Sequence, residues 1–98
     1  MPMKTNYEIE IWQETIAWNK AKSEALVDYY KVWVDFEHQW TFIKGVAALI
    51  GKGLVIMSDE VELKDCFLKI DDQRYEIAQH AKFYDRKEKF HHIEIIFK

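Results

Sequence analysis

A chain of 98 residues, 49% hydrophobic, 15% aromatic and 32% charged, has material for one small domain with one core, and residues 1–98 are read as that domain. The composition is too apolar and aromatic for disorder and too charged for a membrane protein, and no stretch approaches the ~20 apolar residues of a membrane helix. The net charge of −3 is spread evenly, with 5 basic and 7 acidic side chains in residues 1–49 and 9 and 10 in residues 50–98, which disfavours tight binding to nucleic-acid phosphates.

The opening MPMKTNYEIE has no apolar, signal-like core, and the lone cysteine, Cys66, has no internal disulfide partner. Both fit synthesis in a reducing, cytosolic compartment. In YEIEIWQE, Tyr7, Ile9 and Ile11 alternate with Glu8, Glu10 and Trp12, the period of two of a half-buried strand. TIAWNKAKSEALVDY follows, with Ala17, Ala21 and Ala25 every four residues among good helix formers. That spacing allows a short helix, and an ordered loop serves equally. Alternation returns in KVWVDFEH, with Val32, Val34 and Phe36 on one face and Lys31, Trp33, Asp35 and Glu37 on the other.

QWTFIKGVAALIGKG holds Gly45, Gly51 and Gly53. It reads as a short helix or as a strand, a turn and the start of the next strand, because glycines at these intervals punctuate a helix badly. LVIM at 54–57 is a buried strand. Beyond it, CFLKI is a strand, DDQR a hairpin turn, RYEIAQHAKFY a strand with Tyr75 and Ile77 on one face, DRKEK a charged turn and FHHIEIIFK the last strand. Short polar turns between consecutive strands make a meander. The sum is an all-β, or β-rich α+β, domain: a small antiparallel β-barrel or sandwich of about five or six strands with at most one short helix.

The histidines of the last strand raise a metal question. His91, Ile93, Ile95 and Phe97 share one face and Phe90, His92, Glu94, Ile96 and Lys98 the other, so His91 and His92 can reach one ion only across a bulge. Mirror pairing about Asp85 would set His80 across from Phe90, beside His91 and diagonal to His92. His92 and Glu94, on one face, could form a partial site with His80 nearby, but a metal site needs three or four ligands with arranged surroundings. The plainer reading is half-buried strand histidines, with no metal or other cofactor.

Catalytic patterns are equally thin. Neither Ser23 nor Ser58 sits in a nucleophile elbow, and the glycines match no phosphate-cradling spacing. Asp59–Glu60 and Asp71–Asp72 fall where turns are expected, and Cys66 opens an apolar strand as a buried structural thiol. Lys82, Arg86, Lys87 and Lys89, interrupted by Asp85 and Glu88, read as a solvated hairpin tip. No residue is assigned to catalysis, and the chain is not expected to be an enzyme.

The aromatics remain. Trp12 and Trp33 fall on the charged faces of their strands, and Trp18 and Trp40 in the connections. A core this small cannot bury 4 Trp, 5 Tyr and 6 Phe. These four tryptophans are therefore candidate interface residues, unless a two-layer core covers both faces.

Within the last third, IDDQRYEI resembles the polar turn and Tyr-x-Ile of small neck proteins of tailed bacteriophages. FYDRK followed by HHIEI is similar to the closing hairpin of a phage minor-capsid or head–tail connector family. The likeness spans residues 66–98. It implies that Tyr75, Ile77, Tyr84, Asp85, His91, His92 and Glu94 are structural positions of a closing hairpin. It further implies a head-closure (stopper) or adaptor subunit: a small β-barrel, able to be monomeric in solution, that assembles as a ring, a hexamer, beneath the portal. Its partners would be portal or adaptor proteins and tail proteins. DNA would pass through without being tightly bound, no membrane would be touched, and the protein would be in the virion after assembly in the bacterial cytoplasm.

Residues 14–26 depart from the pattern, lacking the glycine-rich turn expected after the first strand, which leaves open the neck component. The apolar loop 41–53 is a candidate channel loop through Phe42, Ile43, Lys44, Gly45, Val46, Leu49, Ile50 and Gly51. In the plainer reading Ile43, Val46, Leu49 and Ile50 fill the core. The competing functions are a non-enzymatic β-domain that binds a peptide or small ligand in a barrel mouth, and a His-based metal-binding protein.

Overall fold

The computed structural model describes residues 5–36, 40–43, 46–49 and 53–98. Its strands are β1 Tyr7–Ile16, β2 Lys22–Asp35, β3 Trp40–Ile43, β4 Val46–Leu49, β5 Gly53–Met57, β6 Cys66–Ile70, β7 Gln73–Tyr84 and β8 Phe90–Phe97. Six of them close a barrel in the order β1-β2-β5-β8-β7-β6, while β3 and β4 form a separate 2-stranded sheet. Every pairing is antiparallel. The all-β barrel is as expected, and the described residues contain no helix.

The alanine spacing at 17, 21 and 25 thus does not make a helix. β1 and β2 pair from Tyr7↔Val32 to Ile16↔Lys22, and long-range ladder bonding overrides a weak local preference. Val27 is an unmatched residue, since Ile11 faces Asp28 while Trp12 faces Leu26. This one-residue bulge breaks the period of two inside ALVDY and hides the strand from a reading of the sequence. The turn is built from Ala17 N–H to Ala21 C=O (2.9 Å) and Lys20 N–H to Ala17 C=O (2.8 Å), with Lys20 at φ 66°. That is a type I turn followed by a left-handed residue, one of the common hairpin closures.

Within 40–49 the described residues form two paired strands rather than a helix, Trp40↔Leu49 to Ile43↔Val46. Trp40 opens a strand here and is not in a connection. The last third folds as the expected meander, β6 to β7 to β8. Asp71 and Asp72, both with positive φ (51° and 63°), make a two-residue mirror-image turn between Ile70 and Gln73.

The β7–β8 turn repeats the β1–β2 closure. Asp85 N–H donates to Lys89 C=O (2.8 Å), Glu88 N–H to Asp85 C=O (3.0 Å), and Glu88 has φ 60°. Asp85 Oδ1 also accepts from the amides of Lys87 (2.8 Å) and Lys89 (3.0 Å). The two turns lie at the same barrel end, because β1 and β7 both run towards it and β2 and β8 both run away from it.

Inward-facing Ile9, Ile11, Val32, Val34, Val55, Met57, Leu68, Ile70, Ile93, Ile95 and Phe97 form the core. Val61 and Leu63 join them from the β5–β6 connection. Each such side chain taken fully from water contributes about 1.5–3 kcal/mol. Towards the opposite end, Phe97 meets Phe36 and Tyr75 edge-on at centroid distances of 5.7 and 4.9 Å, and Phe36 meets Tyr7 at 5.5 Å. Asn6 extends β1 by imitating a peptide group: its Oδ1 accepts from Val34 N–H (2.8 Å) and its Nδ2 donates to Val34 C=O (3.0 Å).

Candidate functional site

The closing turn occupies Asp85–Lys89, so the β7–β8 ladder starts at Tyr84↔Phe90, and His80 pairs with Ile95. This corrects the mirror register about Asp85, which put His80 opposite Phe90. Directly paired residues share a face. His80 therefore lies on the face of buried Ile95, while His92 and Glu94 lie on the other, opposite Phe83 and Ala81. His80, His92 and Glu94 do not assemble. Among the described residues no three His, Cys, Asp or Glu side chains are grouped to hold a metal.

The two adjacent imidazoles do meet. Phe83 faces His92 and Tyr84 faces Phe90, leaving His91 as a bulge, the irregularity that neighbouring strand histidines need to reach one side. His91 Nδ1 and His92 Nδ1 stand 2.8 Å apart. His92 Nε2 is 2.9 Å from Glu94 Oε2, and the His92 ring stacks on Phe83 at 4.7 Å with planes 5° apart. A carboxylate only accepts, so His92 donates from Nε2; in the neutral imidazole its Nδ1 then accepts from His91 Nδ1–H. The row Glu94–His92–His91 can relay or share protons along its hydrogen bonds, and no nucleophile adjoins it among its hydrogen-bond partners.

A second cluster lies on the outer face of β1, β6 and β7. Trp12 stacks on Phe67 (6.3 Å, 13°), Lys69 Nζ sits 4.3 Å over the Trp12 ring and the Arg74 guanidinium 3.8 Å over Phe67. Arg74 also reaches Glu76 (2.8 Å), Glu24 (3.1 Å) and Glu14 (3.4 Å). The Glu76 hydrogen bond raises the Arg74 pKa against an opposing desolvation, with the charges of Glu76, Glu24 and Glu14 adding to the rise. Phe67 is buried although it faces outward, because Trp12 and Arg74 cover it. Trp12 is thus half-buried and covers Phe67, and Trp33 is half-buried on β2.

The β5–β6 connection is held to β7 by Lys82, whose Nζ lies 2.7 Å from Glu62 and 3.9 Å from Glu60. That hydrogen bond raises the Lys82 pKa and lowers that of Glu62. Cys66 is half-buried, not buried as expected. Its Sγ is within reach of the carbonyls of Lys64 (3.5 Å) and Glu62 (3.7 Å). Partial burial, with Asp65 adding, pushes its thiol pKa up, so the group is not an activated nucleophile. An open cleft of about 450 Å³ lies beside it, lined by Gln13, Glu14, Thr15, Ile16 and Asp65.

The large exposed apolar side chains among the described residues are Ile16, Trp18, Leu26, Val27, Tyr29, Phe36, Phe83 and Tyr84. All but Phe36 belong to the β1–β2 and β7–β8 hairpins, and Trp18, at the first turn, is 97% exposed. No family model, curated protein or solved structure matches this chain.

The remaining sequence candidates divide by position. Tyr75 and Ile77 pack on the core, Tyr84 is exposed and Asp85 organises its turn. Phe42 and Ile43 lie on β3 and Val46 and Leu49 on β4, whereas Lys44, Gly45, Ile50 and Gly51 lie outside the described residues. The sequence reading missed Arg74 and Phe67. Glu14, Glu24 and Glu76 were the available signal, but their convergence on Arg74 depends on the strand pairing.

Proposed function

We propose that this chain is a non-enzymatic structural subunit of a tailed-bacteriophage neck, a head-closure (stopper) or head–tail adaptor protein that forms a ring beneath the portal. The observation that carries the reading is the division of apolar side chains. Inward-facing side chains pack the barrel, and among the described residues the large apolar side chains left in water, all but Phe36, gather on two hairpins at one end. That suits a subunit that adheres to neighbours. The likeness of residues 66–98 to phage neck proteins supplies the setting, and a net charge of −3 suits a conduit through which DNA slides. The β3–β4 hairpin, a sheet apart from the barrel, is the element offered for closing the channel.

Electron microscopy of the protein mixed with purified portal rings tests this. The expected result is a second ring stacked coaxially on the portal; bare portals at saturating protein overturn the reading. The metal-binding alternative has one observation in its favour, the facing Nδ1 atoms of His91 and His92. Metal content after purification without chelator decides it: stoichiometric metal lost in the variant His91→Ala supports it, and metal-free protein removes it.

A further inference from the structure

We propose that copies of this chain join head to tail by strand pairing, the turn-proximal half of β2 in one copy adding to the turn-proximal half of β7 in the next. The inference deepens the ring reading and rests on its requirement of self-association, but on nothing about the portal.

Backbone accounting leads to it. β2 pairs with β1 along Lys22–Val32 but with β5 only over Trp33–Asp35. On the side away from β1, no described strand pairs with Lys22–Lys31. β7 pairs with β6 over Gln73–Glu76 and with β8 from Ile77 to Tyr84. On the side away from β8, no described strand pairs with Ile77–Tyr84. Amide direction alternates along an antiparallel strand. Counting from the Ala17–Ala21 bond, Lys22, Glu24 and Leu26 turn their amides to the open side. Counting from the Asp85–Lys89 bond, so do His80, Lys82 and Tyr84. The amide of Tyr29 is capped by Asp28 Oδ1 at 2.8 Å, which ends the open ladder of β2.

The two edges suit each other in place and direction. In the order β1-β2-β5-β8-β7-β6, β2 and β7 are three positions apart either way round. They lie across the barrel from each other and, three antiparallel steps apart, run in opposite directions. Both open halves are at the end that carries the turns. A copy rotated about an axis parallel to the barrel therefore presents its β7 antiparallel to the β2 of its neighbour, at the same height. Such a contact is heterologous and closes into a ring when the rotation closes. A long open edge bearing apolar side chains needs a cover, and here Leu26, Val27 and Tyr29 stand on one edge strand and Phe83 and Tyr84 on the other. An unrelated partner would account for one edge; a second copy accounts for both.

Proline at an outward amide removes a donor the barrel does not use, so Leu26→Pro and His80→Pro block one edge each. Light scattering coupled to size exclusion, up to the solubility limit, reads the result, with circular dichroism as the check on folding. The wild type is expected to oligomerise and each variant alone to be monomeric. An equal mixture should give dimers and nothing larger, because each variant keeps the edge the other needs. A monomeric wild type, oligomers in either variant alone, or a mixture that stays monomeric overturns the proposal.

Hydrogen exchange on the wild type is independent of the prolines. The six outward amides should slow at least about tenfold on concentration, and unchanged exchange also overturns the proposal. Rings that ignore the portal sink the neck reading alone. Rings that still stack on the portal when built from either proline variant sink the edge pairing alone.

Discussion

A Cβ at Gly53 would lie 2.6 Å from the Asp35 carbonyl oxygen and 2.6 Å from Phe97 Cζ. The ring can turn, but the carbonyl belongs to the paired β2 backbone, so Gly53→Ala forces β5 and β2 apart. The expected cost is about 1–3 kcal/mol, by analogy with overpacked cores, read as a lowered urea midpoint. At Cys66 the pKa shift gives a reactivity test. The thiol is raised above 9.0 by burial and Asp65. Alkylation by iodoacetamide at pH 8–9 should therefore be slower in the folded chain than in guanidinium, with the rate–pH midpoint higher in the fold than in the unfolded chain. Neither residue could be understood from its neighbours in sequence: Gly53 is constrained by β2 and β8, and Cys66 by the connection folded against it. The histidine pair was half legible. Alternation said that His91 and His92 needed a bulge to meet, and the length of the Asp85–Lys89 turn supplied one.

Turns and pairings form the next level. Asp72 holds φ 63° at a position where glycine has no steric cost. Asp72→Gly should stabilise the chain by about 0.5–1 kcal/mol after the added freedom of the unfolded state is subtracted, seen as a raised thermal midpoint. The Lys82–Glu62 pair gives a pH test. Glu62 is lowered below 4.5 in the fold, so its contribution is complete above that value and disappears as pH falls through the lowered one. The difference in thermal midpoint between the wild type and Glu62→Gln should be constant from pH 7 to 6 and shrink as pH falls below the ordinary carboxylate range; a difference that stays the same however far the pH is lowered would refute the role of the charge. The β6–β7–β8 meander was legible because its apolar residues alternate and its turns are polar. The β1–β2 hairpin was not, because Val27 interrupts the alternation and alanines at 17, 21 and 25 imitate a helical stripe.

Closure is a property of the whole molecule. The barrel is completed where β1 meets β6, Glu10–Gln13 against Cys66–Lys69, a contact between distant parts of the chain. Such pairings slow folding, and refolding is expected over milliseconds to seconds, with tryptophan fluorescence and far-ultraviolet dichroism changing together. Ile95 is fully buried between β5 and β7. Ile95→Ala should cost about 2–5 kcal/mol and lower the midpoint of one shared transition, without splitting it. A barrel or sandwich could be inferred from strand number and size, but strand order could not. Nothing local in YEIEIWQE tells it to seek CFLKI, and the cluster of Arg74 with Glu14 and Glu24 stayed hidden with it.

The unmatched residues Val27, Ala78 and His91 all occur in the two hairpins that carry the exposed apolar residues. Each adds bend and twist to its strand while leaving the partners on either side in phase. Removing Val27 would let Ile11 keep Asp28 and Trp12 keep Leu26, yet straighten the arm. Aim and content are thus encoded separately: loss of one codon would swing Trp18 to a new bearing with its cargo of side chains unchanged.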